Sequence, residues 1–119
     1  MSSKAVPPKV QKAVESLLTH AGACTPELRQ AVEAHAAGLS GRANPAAPKI
    51  PEALVTYVNK VTQHAYKVTD QDVQQLKAGG YSEDAIFEIT LSASVGASLA
   101  RLERGLSALK GASDAAANS

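Results

Sequence analysis

The chain has 119 residues, which fits one domain with a thin core: there is no Trp, one Phe and three Tyr, so Val, Leu, Ile and Ala must fill it. Twelve basic residues face 11 acidic ones, with no block of like sign, which excludes binding driven by phosphate-backbone electrostatics; no nucleic-acid partner is expected. The single cysteine, Cys24, excludes an internal disulfide framework, and with no apolar signal-like start a cytoplasmic location is expected; the uncharged run 89–100 falls short of a bilayer span, so no membrane partner is expected.

In chain order, residues 1–6 read as a flexible start. Pro7-Pro8 opens a first helix, since proline suits the first turn, with Val10, Val14, Leu17 and Leu18 at helical spacing and Gly22 as a stop. Thr25-Pro26-Glu27 opens a second: a hydroxyl N-cap, a proline at the first helical position and an acid near the positive end of the dipole. Leu28, Val32, His35 and Leu39 mark its inner face. Residues 40–49, with one Gly and two Pro, read as a loop. A third helix is predicted from near Pro51 to about Lys67, with Leu54, Tyr57, Val58, Val61, Ala65 and Val68 on one side.

The next helix start is the best-specified local feature. Thr69 with Asp72 three residues on forms an acidic variant of the capping box, and Val68 with Val73 fits the hydrophobic staple. This short helix is predicted to end at Gly79-Gly80. Ser82 then caps a fifth helix to about Lys110, with Glu83 and Asp84 in its first turn. One stripe on it is Phe87, Leu91, Val95, Leu99, Leu102, Leu106 and Leu109; a second is Ile86, Ile89, Ala93, Ala97 and Ala100. Two such stripes, with no charge between Glu88 and Arg101, predict a long helix buried on most sides. Gly96 in mid-helix implies close packing, and the small residues 92–98 offer a face for another helix. The tail 111–119 is predicted to fray. The expected fold is all-α, about five helices in one domain over residues 7–110.

The stretch from Tyr66 through Val68-Thr69-Asp70-Gln71-Asp72-Val73, Ala78-Gly79-Gly80-Tyr81-Ser82-Glu83-Asp84-Ala85-Ile86-Phe87-Glu88-Ile89, and on to Leu106, resembles the C-terminal part of the AhpD-like, or carboxymuconolactone decarboxylase-like, family. The resemblance covers residues 50–110 and implies that family's helical fold. The family's peroxide chemistry uses a Glu, a Cys-x-x-Cys pair and a His. The segment Leu28-Arg29-Gln30 to Arg42 resembles a worn version of that site. Aligned this way, Gln30 stands in place of the glutamate, and Arg42 and Pro45 in place of the cysteines. The resemblance therefore implies no working thiol peroxidase and no dithiol. It implies instead an oligomeric or partner subunit, joined to copies of itself or to another protein through the small-residue face of the last helix, and leaves other catalysis open.

The remaining candidates are individual polar residues. His64, on the third helix one turn from Lys60 and two from Tyr57, stands at the edge of the apolar face and has the chemistry of a general base. Glu88, at the start of the uncharged run, could pair with His64 or Arg101; a partly buried carboxylate without a partner would titrate high. His64 and Glu88, flanked by Tyr57 and Lys60, form the alternative reading: proton transfer on a small molecule in the manner of the decarboxylase branch. Each also has a plain structural reading, as a side chain satisfied by a backbone group or an ion pair. Cys24 lies just before a helix start, where a dipole can lower a thiol pKa, but it has no partner cysteine or adjacent base and reads as structural. His20, His35 and His64 lack any metal-ligand spacing, so no metal and no cofactor is expected. Residues 69–91 have a helix-turn-helix rhythm, but the second helix opens with acids that would repel phosphates.

Overall fold

The computed structural model describes residues 6–43 and 48–117. It contains α1 (Pro8–Thr19), α2 (Pro26–Leu39), α3 (Glu52–Gln63), a 3₁₀ turn (Ala65–Lys67), α4 (Asp70–Ala78) and α5 (Glu83–Ala117), and no strand among the described residues. The all-α expectation is met.

Local chemistry explains most boundaries. The Thr25 hydroxyl accepts from the Leu28 N–H at 3.2 Å, with Pro26 in the first turn of α2. At α4 the capping box is complete. The Asp72 N–H donates to Thr69 Oγ1 at 3.4 Å, and the Thr69 N–H donates to Asp72 Oδ2 at 2.8 Å. The other end of α4 closes in a Schellman motif. Gly80, at φ +100°, donates its N–H to the Lys77 carbonyl, and the Tyr81 N–H reaches the Leu76 carbonyl at 3.1 Å. Only glycine takes that φ without strain. The hydroxyl of Ser82 then accepts from the Ala85 N–H at 3.1 Å and starts α5.

α5 is the axle of the fold, and α2 packs most extensively against it. Its second stripe, Ile86, Ile89, Ala93, Ala97 and Ala100, is the buried one; Ile86, Ile89 and Ala93, with Ala85, share a core with Ala31, Val32 and Ala36 of α2 and Leu54, Tyr57 and Val58 of α3. A Cβ added at Gly96 would collide with the backbone carbonyl of Glu33, so α2 and α5 cross in contact at this glycine. That is the packing reason its position implied. α1 covers a separate flank, where Val6, Val14 and Leu18 close on Leu99 and Val95.

Several expectations are corrected. α3 ends at Gln63 rather than Lys67: His64 (φ −144°, ψ 54°) leaves the helix, and the chain turns so that Lys60 and Asp72 can meet. The periodicity through Ala65 and Val68 was not a helix signal, because Val68 reaches the core from the connection. Val6, assigned to the flexible start, is buried; residues 1–5 lie outside the described residues. Val10 and Leu39 sit at the rim. The tail does not fray at Lys110. α5 runs to Ala117, because extending an existing helix through alanines needs no new nucleus. Most important, α5 is not covered on most sides. Of the first stripe only Leu99 is buried, while Phe87 is 66% and Leu109 68% exposed. By length and composition α5 also passes the test for a membrane-crossing helix, with half of that window buried in the protein; the core helix of a soluble protein passes the same test.

Candidate functional site

Four places hold the chemistry the sequence offers: a carboxylate under the α1–α2 loop, a cleft between α3 and α4, an ion triad at the end of α2, and the outer face of α5.

Glu88 points from α5 into the loop at Gly22–Cys24. Its Oε2 accepts from the Ala23 N–H at 2.7 Å and its Oε1 from the Cys24 N–H at 3.0 Å. Arg29 Nε lies 3.7 Å from Oε1. These donors, the Cys24 N–H first, hold the Glu88 carboxyl below the usual glutamate range against the opposing effect of burial. A Cβ at Gly22 would strike the same carboxylate, so the loop needs glycine to approach it. Cys24 is buried, and its Sγ donates to the Ala85 carbonyl at 3.4 Å. Burial, and then the Glu88 charge, push the thiol upward and outweigh Arg29. A helix start can favour a thiolate, but here burial disfavours it, and the cysteine is a packing residue, in line with its structural reading. Arg29 is 2% exposed and donates Nη1 to the Leu17 carbonyl at 2.6 Å, while Nε and Nη2 have no hydrogen-bond partner among the described residues. Glu88 and Arg29 together tie α1, the loop and α2 to the axle. Both carboxylate oxygens are engaged by these structural partners.

The cleft is small, about 110 Å³, and is lined by Thr56, Tyr57, Asp72, Gln75, Leu76 and Tyr81 among others. Tyr57 Oη lies 2.7 Å from Thr90 Oγ1, and that threonine gives its own proton to the Ile86 carbonyl, so the phenol is the donor of the pair. Lys60 Nζ contacts both oxygens of Asp72, at 2.9 and 3.0 Å. The Thr69 N–H, followed by Lys60, depresses the Asp72 carboxyl. Both of its oxygens are in use.

The sequence-derived candidates are therefore scattered. Tyr57 lines the cleft, and Lys60 reaches its wall through Asp72. His64 is exposed at the break after α3, edge-on to Tyr66 with ring centroids 6.0 Å apart. Glu88 pairs with neither His64 nor Arg101. Its partners are the loop N–H groups and Arg29, whereas Arg101 donates to the Thr62 carbonyl at 3.1 Å. Neither His64 nor Glu88 lines the cleft. Among the described residues no group of three or more His, Cys, Asp and Glu could hold a metal.

Sequence reasoning missed the ion triad. Arg42 binds Glu33 Oε1 at 2.8 Å through Nη1 and Glu103 through both Nη2 (2.8 Å) and Nε (3.3 Å). Glu33 is buried. A charge placed among the alanines of the α2 inner face was the available signal, since a buried glutamate demands a partner. Of the positions aligned with the family's site, Arg42 belongs to this triad and Gln30 is exposed, with its amide 3.5 Å from the Leu18 carbonyl; Pro45 lies outside the described residues.

The outer face of α5 carries no polar machinery. Phe87, Leu91, Ser94, Ser98, Leu102, Gly105 and Leu109 recur every three or four residues and so lie along one line of the helix. All are exposed except Leu91, which is half-buried, and none is charged. Beyond Leu102 the helix stands clear of the bundle, with only Glu103 and Leu106 partly covered. Comparison of the chain with protein-family models, with curated proteins and with solved structures finds no match.

Proposed function

We propose that the chain is a non-catalytic, AhpD-like helical subunit whose work is done by the outer face of α5, as an assembly surface. The observation that carries this reading is the uncharged exposed line from Phe87 to Leu109 on a helix whose opposite side is core. Exposed large apolar side chains such as Phe87, Leu102 and Leu109 on one line of a helix favour an interaction surface. The order of the features resembling the family, a boxed helix start, a glycine turn and a long final helix, supports the AhpD-like part. The non-catalytic part is supported by the state of the polar groups: Glu88, Lys60 and Asp72 are satisfied by structural partners, and the lone thiol is buried and held protonated.

Two measurements test it. With a dithiol donor, the protein is expected to reduce peroxide no faster than buffer; turnover that survives Cys24→Ala overturns the non-catalytic reading. In sedimentation, the wild-type chain is expected to associate with rising concentration and Leu102→Glu to remain monomeric. Association insensitive to Leu102→Glu overturns the assignment of the face.

A further inference from the structure

α1 is packed separately from the rest of the molecule. The main core draws on α2, α3, α4, α5 and the loop residue Cys24, and it contains no α1 side chain. α1 has a cluster of its own, where Val14 and Leu18, with Val6 just before the helix, rest on Leu99 and Val95 of α5. Three aliphatic side chains make up the α1 side of that contact, so lifting α1 away would leave the main core closed. The rest of the grip is polar and lies at one end of the helix. Arg29 donates to the Leu17 carbonyl at 2.6 Å, and the Gln30 amide reaches the Leu18 carbonyl at 3.5 Å. Just beyond the helix, Glu88 holds the N–H groups of Ala23 and Cys24.

We propose that α1 and residues 20–24 form a hinged strap, which swings open as a unit and uncovers Arg29, Val95 and Leu99 while α2 to α5 stay folded, with the Glu88 carboxylate as its catch. The closed position is incompletely satisfied, which brings the open one within reach. Arg29 is 2% exposed, yet its Nε and Nη2 have no hydrogen-bond partner among the described residues, and Nε stands 3.7 Å from Glu88 Oε1. A buried donor left unpaired weakens the state that buries it, and opening returns both charges to water. The loop is fitted to the catch. A Cβ at Gly22 would meet Glu88 Oε1 at 2.6 Å, so glycine lets the chain close down on the carboxylate. Cys24 moves with the loop. Its Sγ is buried and donates to the Ala85 carbonyl at 3.4 Å, and opening brings it into solvent.

The full-length chain carries its own probe, since Cys24 is its one thiol. Labelling of Cys24 by an excess of an aromatic disulfide is followed beside amide exchange read by mass spectrometry. Each rate is referred to that of the urea-unfolded chain at the same pH. Cys24 and the amides of 12–20 are expected to be protected to a similar degree, and at least about tenfold less than the amides of 54–58 and 86–93. Glu88→Gln removes the charge and one acceptor, and Gly22→Ala pushes the loop off the carboxylate. Each is expected to speed both Cys24 labelling and α1 exchange by about tenfold, the size of one hydrogen bond to a charged group. Thr69→Ala, which weakens α4 at a distance from the strap, is expected to speed exchange at 54–58 and 86–93 and to leave Cys24 and α1 unchanged. If the amides of 12–20 are protected as well as those of 54–58, and Thr69→Ala speeds both alike, α1 comes off only when the whole chain unfolds, and the strap is overturned. Labelling of Cys24 without exchange in α1 overturns the motion as a unit. Local opening that neither Glu88→Gln nor Gly22→Ala changes overturns Glu88 as the catch.

Discussion

The two sides of α5 are built from the same kinds of residue and do opposite things. The inner side, Ile86, Ile89, Ala93, Gly96, Ala97 and Ala100, is sealed against α2 and α3. The outer side, Phe87, Leu91, Ser94, Ser98, Leu102 and Leu109, is open. Composition does not separate them; the outer line holds the larger side chains. What separates them is the fit of backbone to backbone. Small residues on the inner side, Gly96 above all, let the α2 chain approach until Glu33 carbonyl and α5 touch. α2 brings its own alanines to the contact, so short side chains on both helices draw the axes together. The side with the greater bulk could not have packed so closely and is left exposed. Hydrophobicity alone is a poor guide to burial in an alanine-rich bundle.

Three substitutions probe this contrast directly. Gly96→Leu should be the most damaging single change on α5, because the new side chain meets backbone that cannot rotate away. A loss of about 3 kcal/mol or more is expected by urea denaturation. A loss below about 1 kcal/mol would mean that α2 and α5 are not in contact there. Ile89→Ala, at a fully buried inner position, should lower stability by about 2–5 kcal/mol. By contrast, Leu109→Ala on the outer side should change it by no more than about 0.5 kcal/mol at concentrations where the chain is monomeric.

Glu88→Gln tests the edge between the two sides. It keeps an acceptor for the loop but removes the charge beside Arg29. About 1–2 kcal/mol should be lost near neutrality. The pH dependence has a defined sign. Because the folded carboxyl titrates below its ordinary value, its contribution is fully present above the unfolded glutamate pKa. It should fade as the pH falls through that value and on through the folded one. Wild type and Glu88→Gln should therefore converge in acid; a difference that persists unchanged there would assign the effect to shape rather than charge. A modest effect belongs to the local signals. Thr69→Ala should remove about 1 kcal/mol by uncapping α4, without altering association through α5.

The candidate site was less legible than the fold, and the residues show why. The capping box at Thr69, the Ser82 cap, the Thr25 cap and the Gly80 turn were all readable, because each concerns groups within five residues of one another. So was the dense packing implied by Gly96. Glu88 was singled out correctly as a charge needing a partner, but its partners lie on Ala23, Cys24 and Arg29, more than fifty residues away, and the sequence pointed to His64 or Arg101 instead. Arg42 with Glu103, 61 residues on, is hidden for the same reason, whereas the buried Glu33 nine residues before it was a readable signal. His64, read as the edge of the apolar face of the third helix, is instead exposed beyond it, because the helix ends one residue earlier.

By itself the sequence determined five helices, their starts and the glycine turn, since capping and backbone freedom are settled by neighbours along the chain. It also determined that no disulfide can form within the 119 residues, since one cysteine cannot form a pair. Only the tertiary structure decided which apolar side of α5 is core and which is surface. It also decided that the helix continues to Ala117 and that the acids are taken up by structural partners. Those outcomes depend on how closely two backbones can approach and on which distant donors then fall within reach, and neither distance is written in the local order of residues.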